Sequence, residues 1–92
     1  LTIRDVTRKG QSTVTVDVAT SDPKDDVSLF VEGPTPDWAL PIPTRLNRAP
    51  RGVKRFSFKL DGLPPDTKPD GAALKLTLVG GKQAYEFNIN LD

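Results

Sequence analysis

The chain has 92 residues, of which 36% are hydrophobic and 27% are charged, and its 13 basic and 12 acidic residues leave a formal net charge of +1. These values favour one globular domain with a modest core. They exclude a strong overall electrostatic field that would attract nucleic acid or an anionic membrane. Cysteine, histidine and methionine are all absent, which excludes disulfides, thiol chemistry, imidazole catalysis and most soft-metal ligation.

Two strands are predicted at the start of the chain. Residues 2–7 form a weak one, because strict alternation would place Ile3 and Val6 on opposite faces. This pattern predicts a short edge strand or a β-bulge. Residues 12–20 alternate cleanly, with every valine on one face and with threonine and aspartate on the other. Such alternation is typical of a half-buried antiparallel strand.

The segment 21–26 is polar and contains three aspartates and a proline. Its spacing Asp22-x-x-Asp25-Asp26 suggests calcium superficially, but calcium takes six or more oxygen ligands and a dedicated loop has a different spacing. Aspartate and proline favour turns for backbone reasons. We therefore interpret the segment as a polar turn.

The next predicted strand, residues 27–32, directs its valines and Leu29 inward and Phe30 to the opposite face. It ends at Gly33, where a proline-rich crossing begins that carries the only tryptophan, Trp38. The crossing would cover Phe30, with Trp38 as the packing partner. In one interpretation Trp38 is a lid packed on its own domain. In the other it is a partner-facing aromatic residue, because tryptophan is enriched at interface hot spots.

Five of the nine prolines lie between positions 34 and 50, which is too many for a helix or a central strand. Residues 40–46 are therefore predicted to be an irregular edge strand, with prolines blunting its free side. If the crossing binds a partner, five residues are the candidates for the contact: Phe30, Pro34, Pro36, Trp38 and Pro41.

The stretch 38–60 contains no acidic residue. Its six basic residues are Arg45, Arg48, Arg51, Lys54, Arg55 and Lys59. An acidic partner would fit such a patch, but without interleaved aromatic residues it does not predict nucleic-acid binding. We interpret it as a solvated strand face.

The second half of the chain contains three more strands. Residues 54–61 place both phenylalanines and Leu60 in the core, and the rigid connection that follows has Leu63 as an apolar plug. Residues 72–79 alternate leucine with polar side chains, and residues 82–91 alternate Tyr85, Phe87, Ile89 and Leu91 with polar ones. Between them, Gly80-Gly81 supplies the positive φ angles of a type I′ hairpin turn.

Six to seven short strands with no helical periodicity predict an all-β fold, an immunoglobulin-like antiparallel β-sandwich. We expect residues 1–92 to form a single domain of this type, taken from a longer chain. The disulfide of antibody domains is missing, so packing alone holds the core.

No pair of a nucleophile and a base can be assembled from these residues, although the 12 acidic residues do not exclude hydrolysis by a pair of carboxylates. Without histidine no serine has a base to activate it, and no acidic residue lies within an apolar strand face where burial would raise its pKa. Gly80-Gly81 is not a phosphate loop, because no helix follows it. We therefore expect no catalytic activity, no cofactor and no metal.

Two stretches are similar to a known family: LFVEGPTPDWALPIP at positions 29–43, and LKLTLVGGK at positions 74–82 together with residues 86–92. They resemble the extracytoplasmic immunoglobulin-like domains of bacterial DsbD-type thiol-disulfide reductases, especially the ScsB-like branch. The resemblance spans about residues 27–92. In that family a membrane domain passes electrons from thioredoxin to periplasmic domains, which reduce thioredoxin-fold partners.

The resemblance implies a periplasmic, non-redox accessory domain, because the family's redox-active domain carries a cysteine pair and this chain has none. Such a domain would orient the thiol-bearing domain or dock its thioredoxin-fold partner, with the segment 33–43 as the docking surface. The alternative is a secreted or periplasmic protein-binding module unrelated to redox transfer. An unrecognised enzyme or a metal-delivery domain is the third hypothesis.

Overall fold

A computed structural model describes residues 1–10, 12–20, 26–80 and 83–91. Every regular element in these ranges is a strand, and there are seven of them. Their bounds are β1 Thr2–Lys9, β2 Thr13–Ala19, β3 Val27–Glu32, β4 Thr44–Leu46, β5 Val53–Lys59, β6 Ala73–Gly80 and β7 Gln83–Asn90. The predicted all-β class is confirmed.

The strands form two antiparallel sheets. One contains four strands in the order β1-β2-β5-β4, and the other contains three in the order β3-β6-β7. If the seven strands are lettered in chain order, the two sheets have the orders A-B-E-D and C-F-G, an order that constant-type immunoglobulin domains also have. The coincidence concerns strand order alone. The predicted antiparallel β-sandwich is confirmed, and its immunoglobulin-like type stays a prediction.

The core lies between the inner faces of the two sheets, where the predicted alternation places it. The valines of β2 have no exposed area, and Leu76 and Leu78 of β6 are equally inaccessible. Around them lie the other members of the buried cluster: Val27, Leu29, Phe56, Phe58, Leu60, Leu74 and Leu91. Three inward residues of β7, Tyr85, Phe87 and Ile89, pack against this cluster and stay half-buried.

Strand β1 contains the predicted β-bulge. Its pairing with β2 shifts between Ile3 and Asp5, which inserts one extra residue into the edge strand. Ile3 and Val6, three positions apart, therefore both pack against the core. Without the bulge the alternation would turn one of them to solvent.

Strand β4 is shorter than predicted. The irregular edge strand expected over residues 40–46 has strand geometry only at Thr44–Leu46, and all three of these residues are exposed. It pairs with β5 alone. The two prolines that precede it have no N–H group to donate to a ladder, which explains why pairing starts only after Pro43.

The hairpin between β6 and β7 differs by one residue from the prediction. Gly80 pairs with Gln83, so Gly80 is the last residue of β6 rather than a central turn residue, and it has no positive φ. Gly81 and Lys82 lie outside the described residues. The structure gives Gly80 a different role, because a Cβ atom there would lie 2.5 Å from Cδ1 of Leu1.

Two other predictions concern loops. The polar turn at 21–26 lies outside the described residues, apart from exposed Asp26. In the connection between β5 and β6, Leu63 packs against the core cluster as predicted. Arg8 of β1 forms a salt bridge with Asp70 of the same connection, so the connection is fastened to the edge of the four-stranded sheet.

Candidate protein-binding surface

The proline-rich crossing is held to the domain at Gly33, directly after β3. A Cβ atom on Gly33 would lie 2.3 Å from Cβ of Trp38 and 2.4 Å from its Cγ. Only glycine allows the tryptophan to approach the backbone this closely. The N–H of Trp38 also donates a hydrogen bond to the carbonyl of Thr35, at 3.2 Å. The chain therefore folds back on itself over residues 33–38.

A second attachment fixes the crossing one residue later. The N–H of Ala39 donates to the carbonyl of Gly62 at 2.8 Å. Gly62 has a φ of 76°, and a Cβ atom there would lie 2.2 Å from the carbonyl oxygen of Ala39. Both the dihedral angle and the space require glycine. The crossing is thus tied to the connection between β5 and β6.

These contacts leave a groove of about 540 Å³ between the crossing and the end of β3. Its lining includes three of the predicted contact residues, Pro34, Pro36 and Trp38. Glu32 and Lys75, which also line it, lie directly opposite each other in the pairing of β3 with β6. The groove combines an apolar wall of rigid side chains with one acidic and one basic group at its side.

Trp38 is half-buried and packs against the core cluster. This is the packing expected for a lid on the domain. Trp38 also lines the groove, so part of the residue is available to a ligand. The two interpretations of Trp38 therefore describe two sides of one residue, and its role in partner binding stays a prediction.

Phe30 lies elsewhere. It remains 44% exposed and does not line the groove. The expectation that the crossing covers Phe30 is wrong, because Trp38 packs beside Gly33 and against the core instead. Phe30 faces solvent on the outer side of the three-stranded sheet, opposite Thr77 and diagonal to Val79, which is 38% exposed.

Pro41 lies on a third surface. It lines a smaller cavity of about 340 Å³ next to β4, together with Ile42 and Leu46. Ile42 is 73% exposed, the largest exposure among the large hydrophobic residues that the structure describes. The predicted contact residues are therefore not one patch: three meet in the groove, and Phe30 and Pro41 lie apart.

The basic stretch is only partly the solvated strand face that the sequence suggested. Arg55 forms a two-pronged pair with Asp17, from Nε to Oδ1 at 2.7 Å and from Nη2 to Oδ2 at 3.0 Å. Hydrogen bonding to Arg55 lowers the pKa of the Asp17 carboxyl below its ordinary value. The expectation of a solvated strand face is wrong for Lys54, which is buried with 5% exposure.

Sequence reasoning missed the pair between Asp17 and Arg55. Both residues occupy outward positions of their strands, and the register of β2 with β5 places them directly opposite. The alternation identifies the face of each residue but not its neighbouring strand. A prediction of the strand order and register would have been needed to find the pair.

Within the described ranges, no group of three or more histidine, cysteine, aspartate or glutamate residues is arranged to hold a metal ion. Of the aspartates considered for calcium, Asp22 and Asp25 lie outside those ranges. The same ranges contain no helix of the length and apolarity that a membrane span needs. Comparison of the chain with protein-family models, curated proteins and solved structures found no match.

Proposed function

We propose that this chain is a non-catalytic protein-binding module: an accessory domain of a periplasmic thiol-disulfide reductase of the DsbD/ScsB type. In this role it orients the redox-active domain or docks its thioredoxin-fold partner. The resemblance of residues 27–92 supports the reductase context. The absence of cysteine from the chain supports the accessory role, since thiol exchange needs a thiolate.

One observation carries the binding role: the groove in which Trp38, Pro34 and Pro36 meet. Proline and a packed tryptophan lose little conformational entropy when a partner covers them, because both are already held. Tryptophan is also among the residues that contribute most to protein interfaces. The charged pair of Glu32 and Lys75 beside the groove would orient a partner that carries both signs of charge.

The test measures binding of the cysteine-bearing domain of the same parent chain, and of its thioredoxin-fold partner, by isothermal titration calorimetry. Thr35→Arg places a long charged side chain at an exposed position in the groove lining and should weaken binding at least about tenfold. Trp38→Ala should weaken it about thirtyfold, the effect of an interface hot spot. The matched control is Thr2→Arg, an exposed threonine on the other sheet, which should bind like the parent.

Trp38 also provides a direct signal, since it is the only tryptophan and its fluorescence should change when the groove is occupied. Equal weakening by Thr35→Arg and Thr2→Arg would exclude the groove as the site. Binding of an unrelated extracytoplasmic protein at the groove, with no affinity for either redox protein, would replace the reductase role with the alternative of a general protein-binding module.

A further inference from the structure

The three-stranded sheet has an open edge along β7 in the part of the chain that the structure describes. Strand β7 is eight residues long and pairs there with β6 alone. Its register with β6 runs through all eight residues without a shift. The strand contains no proline and only one charged residue, Glu86. Long, regular and nearly uncharged edges of this kind are templates for pairing with a further strand.

The other three edges of the two described sheets have features that oppose such pairing. Strand β1 has the β-bulge and four charged residues: Arg4, Asp5, Arg8 and Lys9. Strand β4 has only three residues and follows two prolines. Strand β3 has six residues against the eight of β7, and it continues directly into the proline-rich crossing. Among these edges, that of β7 alone lacks a bulge, a short length or neighbouring prolines.

The backbone groups on the open side of β7 are identified by the hydrogen bond at its end. The N–H of Leu91 donates to the carbonyl of Ala72, directly before β6, at 2.9 Å. Backbone groups of successive strand residues point to opposite sides within the sheet, so the odd-numbered residues of β7 face β6. The even-numbered residues point their N–H and C=O groups away from β6: Ala84, Glu86, Asn88 and Asn90. Within the described ranges no other element pairs with these groups.

The inward side chains of β7 are also incompletely covered. Tyr85, Phe87 and Ile89 pack against the core cluster but stay half-buried. The leucines that face them in β6 are at most 1% exposed. The difference arises because β6 has a strand on each side, whereas β7 has one on a single side. A further strand beside β7 would remove more of this apolar row from water, which is favourable.

We propose that two copies of this chain associate by antiparallel pairing of their β7 strands about a two-fold axis, which joins two three-stranded sheets into one of six strands. Residues directly opposite each other must share a face of the sheet. Two such registers pair seven of the eight residues, 83–89 centred on Glu86 or 84–90 centred on Phe87. The proposal does not depend on the groove, which lies beside β3 at the opposite edge of the same sheet.

The side chains of β7 make the register centred on Phe87 self-complementary. On the inner face it places Tyr85 opposite Ile89 of the second copy and Phe87 opposite its own counterpart, and aromatic and aromatic–β-branched pairs stabilise neighbouring strands. On the outer face it places Glu86 opposite Asn88. The register centred on Glu86 would instead place two carboxylates opposite each other, which is destabilising. A second copy therefore matches this edge in its apolar row and in its charge, as a two-fold interface requires.

The experiment is sedimentation equilibrium of the whole 92-residue chain from micromolar to millimolar protein. The mass should rise with concentration from 10.0 kDa towards twice that value. Asn88→Pro removes an N–H group that points away from β6, so it leaves the pairing of β6 with β7 intact. It should weaken dimerisation at least about tenfold, because a symmetric dimer loses two hydrogen bonds. The matched control is Asn88→Ala, which keeps the N–H group and should dimerise like the parent.

Charges at positions 84 and 90 test the register. These positions face each other across the two-fold axis, and within the chain they face the uncharged residues Val79 and Ala73. The double variant Ala84→Glu, Asn90→Lys should dimerise at least as tightly as the parent, because opposite charges meet twice. Like charges at both positions, two glutamates or two lysines, should weaken dimerisation about tenfold. These variants keep every backbone N–H group, so they decide the outcome if Asn88→Pro does not fold.

Three results would overturn the proposal. The first is a chain that stays monomeric at millimolar protein, which would leave the edge of β7 to a strand of another protein. The second is equal dimerisation of Asn88→Pro and Asn88→Ala. The third is equal dimerisation of the like-charge and opposite-charge variants at positions 84 and 90.

Discussion

Gly33 shows how one absent methyl group determines the position of the only tryptophan. With a hydrogen in place of Cβ, Trp38 packs against the backbone at the end of β3 and against the core. The same contact forms one wall of the groove. A single glycine therefore contributes both to the packing of the crossing and to the shape of the proposed binding surface.

Gly33→Ala should displace Trp38, because the new Cβ would lie 2.3 Å from Cβ of Trp38. We expect a loss of about 1–3 kcal/mol in the free energy of unfolding, the usual effect of overpacking, and a red shift of tryptophan emission as the ring meets water. Urea denaturation and fluorescence spectra measure the two effects.

A double-mutant cycle provides the control. In a Trp38→Gly background the collision is gone, because glycine also lacks the Cβ atom that the new methyl group would meet, so adding Gly33→Ala should change stability by much less than it does in the parent. Additive losses in the cycle would show that Gly33 is needed for a backbone reason instead of for the approach of Trp38.

At the scale of the elements, β2 and β5 are the centre of the four-stranded sheet and are joined on their outer face by Asp17 and Arg55. The side chain of Asp17 is 18% exposed and that of Arg55 is 33% exposed. Partial burial limits solvent screening of this pair, and its two-pronged geometry is the stronger arrangement of an arginine with a carboxylate.

The pair predicts a specific pH dependence of stability. The folded pKa of Asp17 lies below the ordinary value of 3.8, so the stabilisation is present above that value and is lost as the pH falls through the folded pKa. Asp17→Asn should therefore be less stable than the parent at pH 7, and the difference should disappear in strong acid.

Urea denaturation across this pH range measures the difference. Arg55→Gln should show the same pH-dependent loss, and the double variant should lose little more than either single variant. A loss that is constant from pH 7 to strong acid would mean that Asp17 contributes through packing and not through its charge.

At the scale of the whole molecule, stability rests on the apolar layer between the sheets, since no disulfide can form in a chain without cysteine. Domains of this size bury only about two-thirds of the surface that their unfolded chains expose, and their stability is small. The contribution of each buried leucine in the layer is therefore a large fraction of the total free energy of unfolding.

Leu76→Ala should lower the free energy of unfolding by about 2–5 kcal/mol, because Leu76 has no exposed area and its removal leaves a cavity. The matched control is Val79→Ala on the outer face of the same strand, where 38% of the residue is exposed, and it should change stability by less than about 1 kcal/mol. Equal denaturation midpoints for the two variants would show that the faces of β6 are assigned wrongly.

The sequence predicts the all-β class, the core faces of β2, β5, β6 and β7, and a possible bulge in β1. It does so because side chains alternate with a period of two along any strand. That signal is local, so it can be read without knowing which strands are neighbours. It also shows why Lys54 could have been assigned to the inner face, since Lys54 has the same parity as Phe56 and Phe58.

Only the tertiary structure decided four features: the strand order, the pairing of Asp17 with Arg55, the approach of Trp38 to Gly33 and the position of β7 at an edge of its sheet. Each depends on which distant segments become neighbours. Alternation specifies the face of a residue but is the same for every arrangement of the strands, so only the packing of the two sheets selects the residues that meet.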